Sequence, residues 1–315
     1  MSYNQYAPGS HKLIHHIGHL NDIVNGNIVA PIHVSIWPTV VCQRKCPYCC
    51  CIKHVNKTSP ELNHLDYDKF IVAIDALAKY GTKAIEFSGG GEPTLWPHFE
   101  KAVRYISDKG IKLSLITNGL TLHKLDKDVV SKFKWIRISL HNKKHVEEEI
   151  AWSSLPSDVN ISCSYIVMPK EDLSILEYLR DFGDKSGKII RIGMERPCSE
   201  DDENRIREVV ESLGGNLTFS VKAVGAPKAC YMAWVRGAIT WDGSFIPCPS
   251  IQLTEEFRGE IPRSFKLCNI EDLEQWLTSN RPKDLGYRCK FCNCGKENND
   301  LIYSLFNGGE DVEFV

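Results

Sequence analysis

The sequence predicts an α/β fold, a partial (β/α)6 TIM-like barrel followed by a small C-terminal β-hairpin/helix domain. Three observations carry that prediction. Six short β-rich runs alternate with stretches of helical periodicity, and glycines or Asn-Gly pairs stop most of the units. After about Leu217 the rhythm changes to a hairpin signal and a cysteine-rich tail. Strands that alternate with helices lie parallel, because parallel neighbours are joined by long right-handed crossovers.

Taken in order, "PIHVSIWP" supplies the first strand and "DYDKFIVAIDALAKYG" a helix with apolar residues at helical spacing and a glycine stop. "KAIEFSGGG" is a strand and turn, "HFEKAVRYISDKG" a helix, and "IKLSLITNG" a strand and turn. "KWIRISLHN", "NISCSYIVMP" and "KIIRIGMERP" continue the strands, with helices at "LSILEYLRDFGDKSG" and "EDDENRIREVVESLGG". "RGAITWDGSFIPC" reads as a hairpin turning at Asp242-Gly243, and "IEDLEQWLTS" as a short helix. The expected organisation is an N-terminal extension over 1–31, the partial barrel over 32–216 and the smaller domain over 217–315. In such a barrel the chemistry sits at the C-terminal strand ends, where the first cysteine run, the triple glycine and "TNG" all fall.

A chain of 315 residues buries roughly 75% of its unfolded surface and needs no disulfide staple. A net charge of −2 with 43% hydrophobic and 25% charged residues gives no polyanion-binding signature. A nucleic-acid partner is therefore not expected, the short basic runs "HNKKH" and "KSGKIIR" reading as solvated faces. No signal peptide and no run of 18 apolar residues occurs, so a cytoplasmic protein with no membrane partner is expected. In that reducing compartment 13 cysteines point to metal ligation or catalysis. Five lie between Cys42 and Cys51 and six between Cys230 and Cys294, leaving Cys163 and Cys198 apart.

Cys42, Cys46 and Cys49 are spaced C-x3-C-x2-C on one loop. Three thiolates can hold three irons of a cubane and leave the fourth open, whereas a structural zinc would recruit Cys50, Cys51 or His54 as a fourth ligand. The surrounding residues resemble the radical S-adenosylmethionine enzymes. "CQRKCPYC" follows the first strand with Tyr48 at the aromatic position, and "FSGGGEPT" ends the second strand like the family's Gly-Gly-Glu motif. The resemblance implies that Cys42, Cys46 and Cys49 hold a [4Fe–4S] cluster. It implies that Gly90, Gly91 and Glu92 receive the methionine amino group of S-adenosylmethionine, that Ser139 after the fourth strand contacts its ribose, and that Ile192 to Glu195 pack its adenine. It spans about Ile32 to Arg196. The implied reaction is reductive cleavage of S-adenosylmethionine to a 5′-deoxyadenosyl radical that takes a hydrogen atom from substrate, fed by a donor such as flavodoxin or ferredoxin. Cys50 and Cys51 are surplus to this scheme and read as packing or loop residues.

Farther on, "GSFIPC" on the hairpin, with Cys230 before it and "CKFCNC" after it, resembles the auxiliary-cluster modules called SPASM and, in shorter form, twitch. The pattern stops at C-x2-C-x-C, short of the full module. A twitch-like module with one auxiliary [4Fe–4S] cluster on Cys230, Cys248, Cys289 and Cys292 is implied; Cys294 either replaces Cys292 or joins Cys268 elsewhere. A zinc ribbon is the other reading of the same ligands. Cys163, mid-strand, reads as a small buried hydrophobe. Cys198, past the sixth strand, is a candidate catalytic thiol that returns a hydrogen atom to a product radical. His15, His16 and His19 read as surface or packing residues.

The substrate classes open to this reading are a peptide side chain or a small polar metabolite, with oxidation, epimerisation or cross-linking as outcomes. The segment ahead of Cys42 is short for a leader-binding domain, which weighs against a ribosomal peptide. An RNA- or nucleotide-modifying radical enzyme and a non-catalytic zinc or iron–sulfur protein are the alternatives, and the last leaves Gly90-Gly91-Glu92 without a purpose.

Overall fold

The computed structural model describes residues 10–56, 63–168, 170–195, 198–220, 225–251, 261–289, 292 and 296–307. The six expected strands form as β1 (His33–Ile36), β2 (Ala84–Phe87), β3 (Lys112–Thr117), β4 (Phe133–Leu140), β5 (Asn160–Val167) and β6 (Ile190–Met194). Each pairs in parallel with the next. The crossovers carry α3 (Tyr67–Lys79), α4 (Phe99–Asp108), α5 (Lys127–Ser131) and α6 (Ser174–Ser186), and α7 (Glu200–Leu213) follows β6. The helix signals act locally as expected. Asp66 caps α3 by accepting the Lys69 N–H at 2.9 Å, Ser199 caps α7 through the Asp202 N–H at 3.0 Å, and α6 stops at Gly187 with φ 66°.

The sheet continues past the sixth strand. β7 (Leu217–Phe219) adds in parallel to β6, and β8 (Arg236–Ile239) adds in parallel to β1 on the other side. β8 turns at Asp242-Gly243, where Gly243 has φ 75°, into antiparallel β9 (Ser244–Ile246), and β10 (Cys268–Asn269) pairs with β9. The hairpin forms where the sequence puts it, and its first strand extends the main sheet. The strand order β10-β9-β8-β1-β2-β3-β4-β5-β6-β7 is that of a mixed α/β sheet that curves as a partial barrel and does not close. α8 (Leu273–Ser279) matches the expected short helix.

Because helices cover one face of the sheet, the strands alternate instead of reading as continuous apolar runs. Val34, Ile36, Ile85, Phe87, Leu113, Leu115, Ile136, Ile138 and Leu140 share the main core with Phe70, Ile74 and Leu77 of α3 and Phe99 and Val103 of α4. Each fully buried aliphatic or aromatic side chain there contributes about 1.5–3 kcal/mol. Rings tie the layers together, with Phe99 lying 5.2 Å from Phe87 and 6.1 Å from Phe133. The intervening residues, among them Ser35, Glu86, Ser114, Arg137, Ser139 and Ser162, face the other way and make the inner face polar.

The sequence reading left the N-terminal extension and the tail without elements. Both form helices that pack on each other: α1 (Ser10–Leu13) and α2 (Ile17–Val24) meet α9 (Lys296–Phe306) over a second core containing Leu20, Ile23, Met232, Trp234 and Ile302. His19 of α2 packs as expected, its Nε2 bonding the Trp234 carbonyl at 2.7 Å. Among the described residues no helix is long and apolar enough to cross a membrane.

Candidate active site

The loop after β1 is shaped by backbone bonds before any ligand is considered. Asn56, at φ 55°, takes the left-handed conformation that asparagine tolerates, and its amide brackets Cys42. Its Oδ1 accepts the Cys42 N–H at 3.0 Å and its Nδ2 donates to the Cys42 carbonyl at 2.7 Å. Tight turns follow, with the Cys49 N–H on the Cys46 carbonyl at 3.1 Å and the Ile52 N–H on the Cys49 carbonyl at 3.2 Å.

The triple-glycine loop after β2 lies directly against this cysteine loop. The Gly91 N–H donates to the Thr39 carbonyl at 2.6 Å and the Glu92 N–H to the Val41 carbonyl at 2.8 Å. A Cβ on Gly91 would stand 2.1 Å from the Val41 oxygen, and one on Gly90 would stand 2.8 Å from the Thr39 oxygen. Glycine at these two positions therefore allows the chain to approach its own backbone, a use in addition to the ligand approach that the motif implies.

Glu92 is buried, 2% exposed, and its carboxylate is filled by the chain's own donors. Oε1 accepts Thr117 Oγ1–H at 2.6 Å, Thr94 Oγ1–H at 2.7 Å and the Thr94 N–H at 3.3 Å; Oε2 accepts the Asn118 N–H at 2.8 Å. Burial pushes its pKa up against the pull of these donors. The side chain thus fastens the β2 loop to the end of β3.

Three strand ends converge on the cysteines. Cys42 Sγ accepts the Arg44 N–H at 3.3 Å and lies 4.0 Å from Asn118 Nδ2, which also donates to Gln43 Oε1 at 3.2 Å. Cys46 Sγ is 3.4 Å from His141 Nδ1, which shares a 2.7 Å hydrogen bond with the Tyr48 hydroxyl. The Tyr48 and His141 rings stack at 6.0 Å. His145 opens a π turn, His145–Glu149, just past β4; it donates from Nε2 to the Asn118 carbonyl at 2.9 Å, and Glu149 ion-pairs with Arg44. π turns recur at functional sites. Burial drops His141 to about 3 and His145 to about 4, so both rings are neutral at physiological pH. Burial, then the neighbouring Cys49 and Cys42, push Cys46 up to about 11, and burial also raises Cys42. Thiols near enough to repel one another as thiolates, surrounded by N–H donors, suit a positively charged metal centre. Among the described residues no three His, Cys or carboxylate side chains gather at single-ion spacing.

Ser139 lies within β4, not after it, on the inner face beside its register partner Ser164 and half-buried. Ile192 to Met194 end β6, and the Glu195 N–H bonds the Val167 carbonyl at 3.0 Å. Cys198 follows β6, half-buried, with Sγ 3.4 Å from Met194 Sδ in a pocket shared with Val167 and Ile206. Those neighbours belong to the apolar layer between strands and helices. Cys163 is fully buried in the main core, as a small hydrophobe should be. Cys51 is buried, 2% exposed, 3.8 Å in Sγ–Sγ distance from Cys50.

The C-terminal cysteines come together from far apart. Cys230, Cys248, Cys289 and Cys292 line one mostly apolar, partly open cavity with Phe265 and Tyr287. Cys230 is held by its N–H on Asp284 Oδ1 at 2.9 Å, and burial, followed by Cys292 and Cys289, pushes its thiol up to about 12. The Ser250 N–H points at Cys248 Sγ at 3.3 Å. Cys268, in β10, packs against the main core instead. Cys294 lies outside the described residues. Sequence reasoning missed Asn56, Asn118 and His141. The sequence places "TNG" on the strand-end face with the cysteines but gives its Asn118 no role, and "HNKKH" reads as a basic run; the signal for both is their position just after strands.

The model of the Radical SAM superfamily matches residues 36–142, and the chain carries a domain of that superfamily there. The match to that superfamily implies a [4Fe–4S] cluster and S-adenosylmethionine binding for the matched domain. The chain is similar to the tungsten-containing aldehyde ferredoxin oxidoreductase cofactor-modifying protein of Pyrococcus furiosus, 34% identical over 26% of this chain and 22% of that one. It is likewise similar to the PqqA peptide cyclase of Bradyrhizobium diazoefficiens, 32% identical over 29% of this chain and 23% of that one. The match thus spans under a quarter of either curated relative. In fold it is similar to Streptococcus suis SuiB bound to S-adenosylmethionine, with a TM-score of 0.55 and 17% identity over 79% of this chain and 68% of SuiB.

Proposed function

We propose that the chain is a radical enzyme that cleaves S-adenosylmethionine reductively and takes a hydrogen atom from a peptide or a small polar metabolite. The observation that carries this reading is the seating of Cys42, Cys46 and Cys49 on one loop that the Gly90-Gly91 stretch packs against at hydrogen-bond distance. A [4Fe–4S] cluster on these thiols, when bound, supplies the electron that breaks the carbon–sulfur bond of S-adenosylmethionine and so generates the 5′-deoxyadenosyl radical. The chain's own part is to hold and orient. Asn56 fixes the Cys42 peptide, Glu92 locks the glycine loop to β3, and neutral His141, hydrogen-bonded to the Tyr48 hydroxyl, packs beside Cys46. Ser139 on the inner face takes the ribose side of the ligand.

The cavity of Cys230, Cys248, Cys289 and Cys292 holds one auxiliary [4Fe–4S] cluster in this reading, so residues 217–315 act as a twitch-like module beside the 32–216 barrel. A peptide substrate draws support from the relatives: one is a peptide cyclase, and SuiB is solved with its precursor peptide SuiA. Cytoplasmic flavodoxin or ferredoxin is the proposed electron source. Cys198 is the proposed hydrogen-atom donor, a role lost if Cys198→Ala leaves turnover and product stereochemistry unchanged.

Anaerobic reconstitution tests the whole. Two cubanes predict about eight irons per chain, falling to about four in a Cys42/Cys46/Cys49 triple Ala variant. With dithionite and S-adenosylmethionine only the wild type should release 5′-deoxyadenosine. Release of none by a fully loaded wild type would overturn the reading.

A further inference from the structure

Inside the curve of the sheet lies a cluster of charge that the chemistry above leaves unused. Arg137 of β4 sits on the inner face at 6% exposure, and its Nε and Nη2 have no hydrogen-bond partner. Its register partner on β5, Ser162, is 7% exposed and its hydroxyl is likewise unpartnered. Side chains of register partners in a parallel pair leave the sheet on the same side, so a guanidinium and a hydroxyl with unspent donors are both buried on the inner face of neighbouring strands. Leaving such groups unmade is costly, which is why most buried polar atoms are paired.

The charge around them is one-sided. Arg191 of β6 and Arg236 of β8 act on Arg137, as does Lys12 of α1, with the Glu86 carboxylate opposing them. Glu86 is already taken by Arg236 at 3.3 Å and by the Ser35 hydroxyl at 3.5 Å. Burial and the two other guanidinium groups push Arg137 down to about 10. Arg137 packs against the Trp135 ring, 5.1 Å away.

We propose that Arg137 and Ser162 bind an oxyanion, a carboxylate or phosphate group carried by the substrate. Assigning the anion to a substrate rests on the reaction proposed above; the anion site itself does not. A planar guanidinium fork with a hydroxyl on the neighbouring strand suits such a group, and a desolvated cationic surround strengthens each bond. The geometry also separates the site from the cysteine loop. Arg137 precedes His141, the neighbour of Cys46, by four residues, about 13 Å of strand, so it lies deeper along the inner face than the cysteine loop. A substrate anchored at Arg137 would instead extend along the inner face toward the strand ends.

Inorganic phosphate is the probe, titrated by calorimetry into the anaerobically purified full chain with ionic strength held constant by chloride. The wild type should bind it, Arg137→Gln should bind it at least about tenfold more weakly, and Arg137→Lys should recover part of the loss. Without phosphate, Arg137→Gln should melt no lower than the wild type, since it removes a buried charge that no partner compensates. Equal phosphate binding by wild type and Arg137→Gln, or a lower melting point for the phosphate-free variant, overturns the proposal. S-adenosylmethionine added to phosphate-saturated protein should bind without displacing phosphate; displacement would make the anion the cofactor's own carboxylate and end the substrate assignment. Failure of S-adenosylmethionine to bind at all counts against the reaction proposed above and leaves the phosphate result standing.

Discussion

Cys42, Cys46 and Cys49 lie on a single loop that backbone bonds fold almost unaided, whereas Cys230, Cys248, Cys289 and Cys292 reach one cavity from a short turn, a hairpin end and the tail. The first set is tied down because two glycines let a neighbouring loop hydrogen-bond to the backbone just ahead of it, with Glu92 as the fastener. Among the described residues the second is framed by segments far apart in the chain. Its Cys230 is fixed by Asp284, 54 residues away, and its walls are apolar side chains. One cysteine set therefore depends on backbone contacts of short range and the other on packing of distant segments. Trp241, next to the hairpin turn, links the regions by lying 5.0 Å from His54 and over Gly90.

The contrast can be broken most directly at Gly91. Gly91→Ala would force a methyl into the Val41 carbonyl, which is backbone and cannot swing aside, so the two loops should part. We expect release of 5′-deoxyadenosine to vanish and iron to fall to about four per chain, measured by product analysis and iron assay; retained cleavage would mean that the loop contact is dispensable. Next in size, Cys230→Ser should lower iron from about eight to about four while S-adenosylmethionine cleavage persists, making the second region separable from the first. Loss of both irons and cleavage would show instead that the regions fold as one.

Glu92→Gln should be felt as stability. Its amide NH2 would face donors that the carboxylate now satisfies, costing about 3 kcal/mol in urea denaturation. A change under about 1 kcal/mol would deny Glu92 its fastening role. The smallest effect is expected at a cysteine in neither region. Cys163→Ala leaves a small gap in the main core, about 1 kcal/mol, with iron content unchanged.

Much of the fold was legible because its signals are local. Alternating strand and helix periods, the Asp66 and Ser199 caps and the Asp242-Gly243 turn each specify a few neighbouring residues, and all six expected strands and the hairpin form there. The N-terminal helices and α9 escaped because each is short and gains its stability by packing on the other. The placement of β8 beside β1 escaped for a similar reason, since a hairpin's sequence carries no statement about which sheet edge it joins. Of the site, the cysteine spacing and the glycine run could be read, but Asn118 and His141 could not. A lone polar residue after a strand has no distinguishing pattern until the strands are side by side.

By itself the sequence determined the parallel α/β core, the hairpin and the three-cysteine loop, because periodicity, capping and motif spacing act over a few residues. The tertiary structure alone decided which apolar walls surround the four later cysteines, that Glu92 is consumed by Thr94, Thr117 and Asn118, and that Arg137 and Ser162 are buried as register partners on the inner face. Those are contacts between segments far apart in the chain, and they exist only once strand register and sheet curvature bring the segments together.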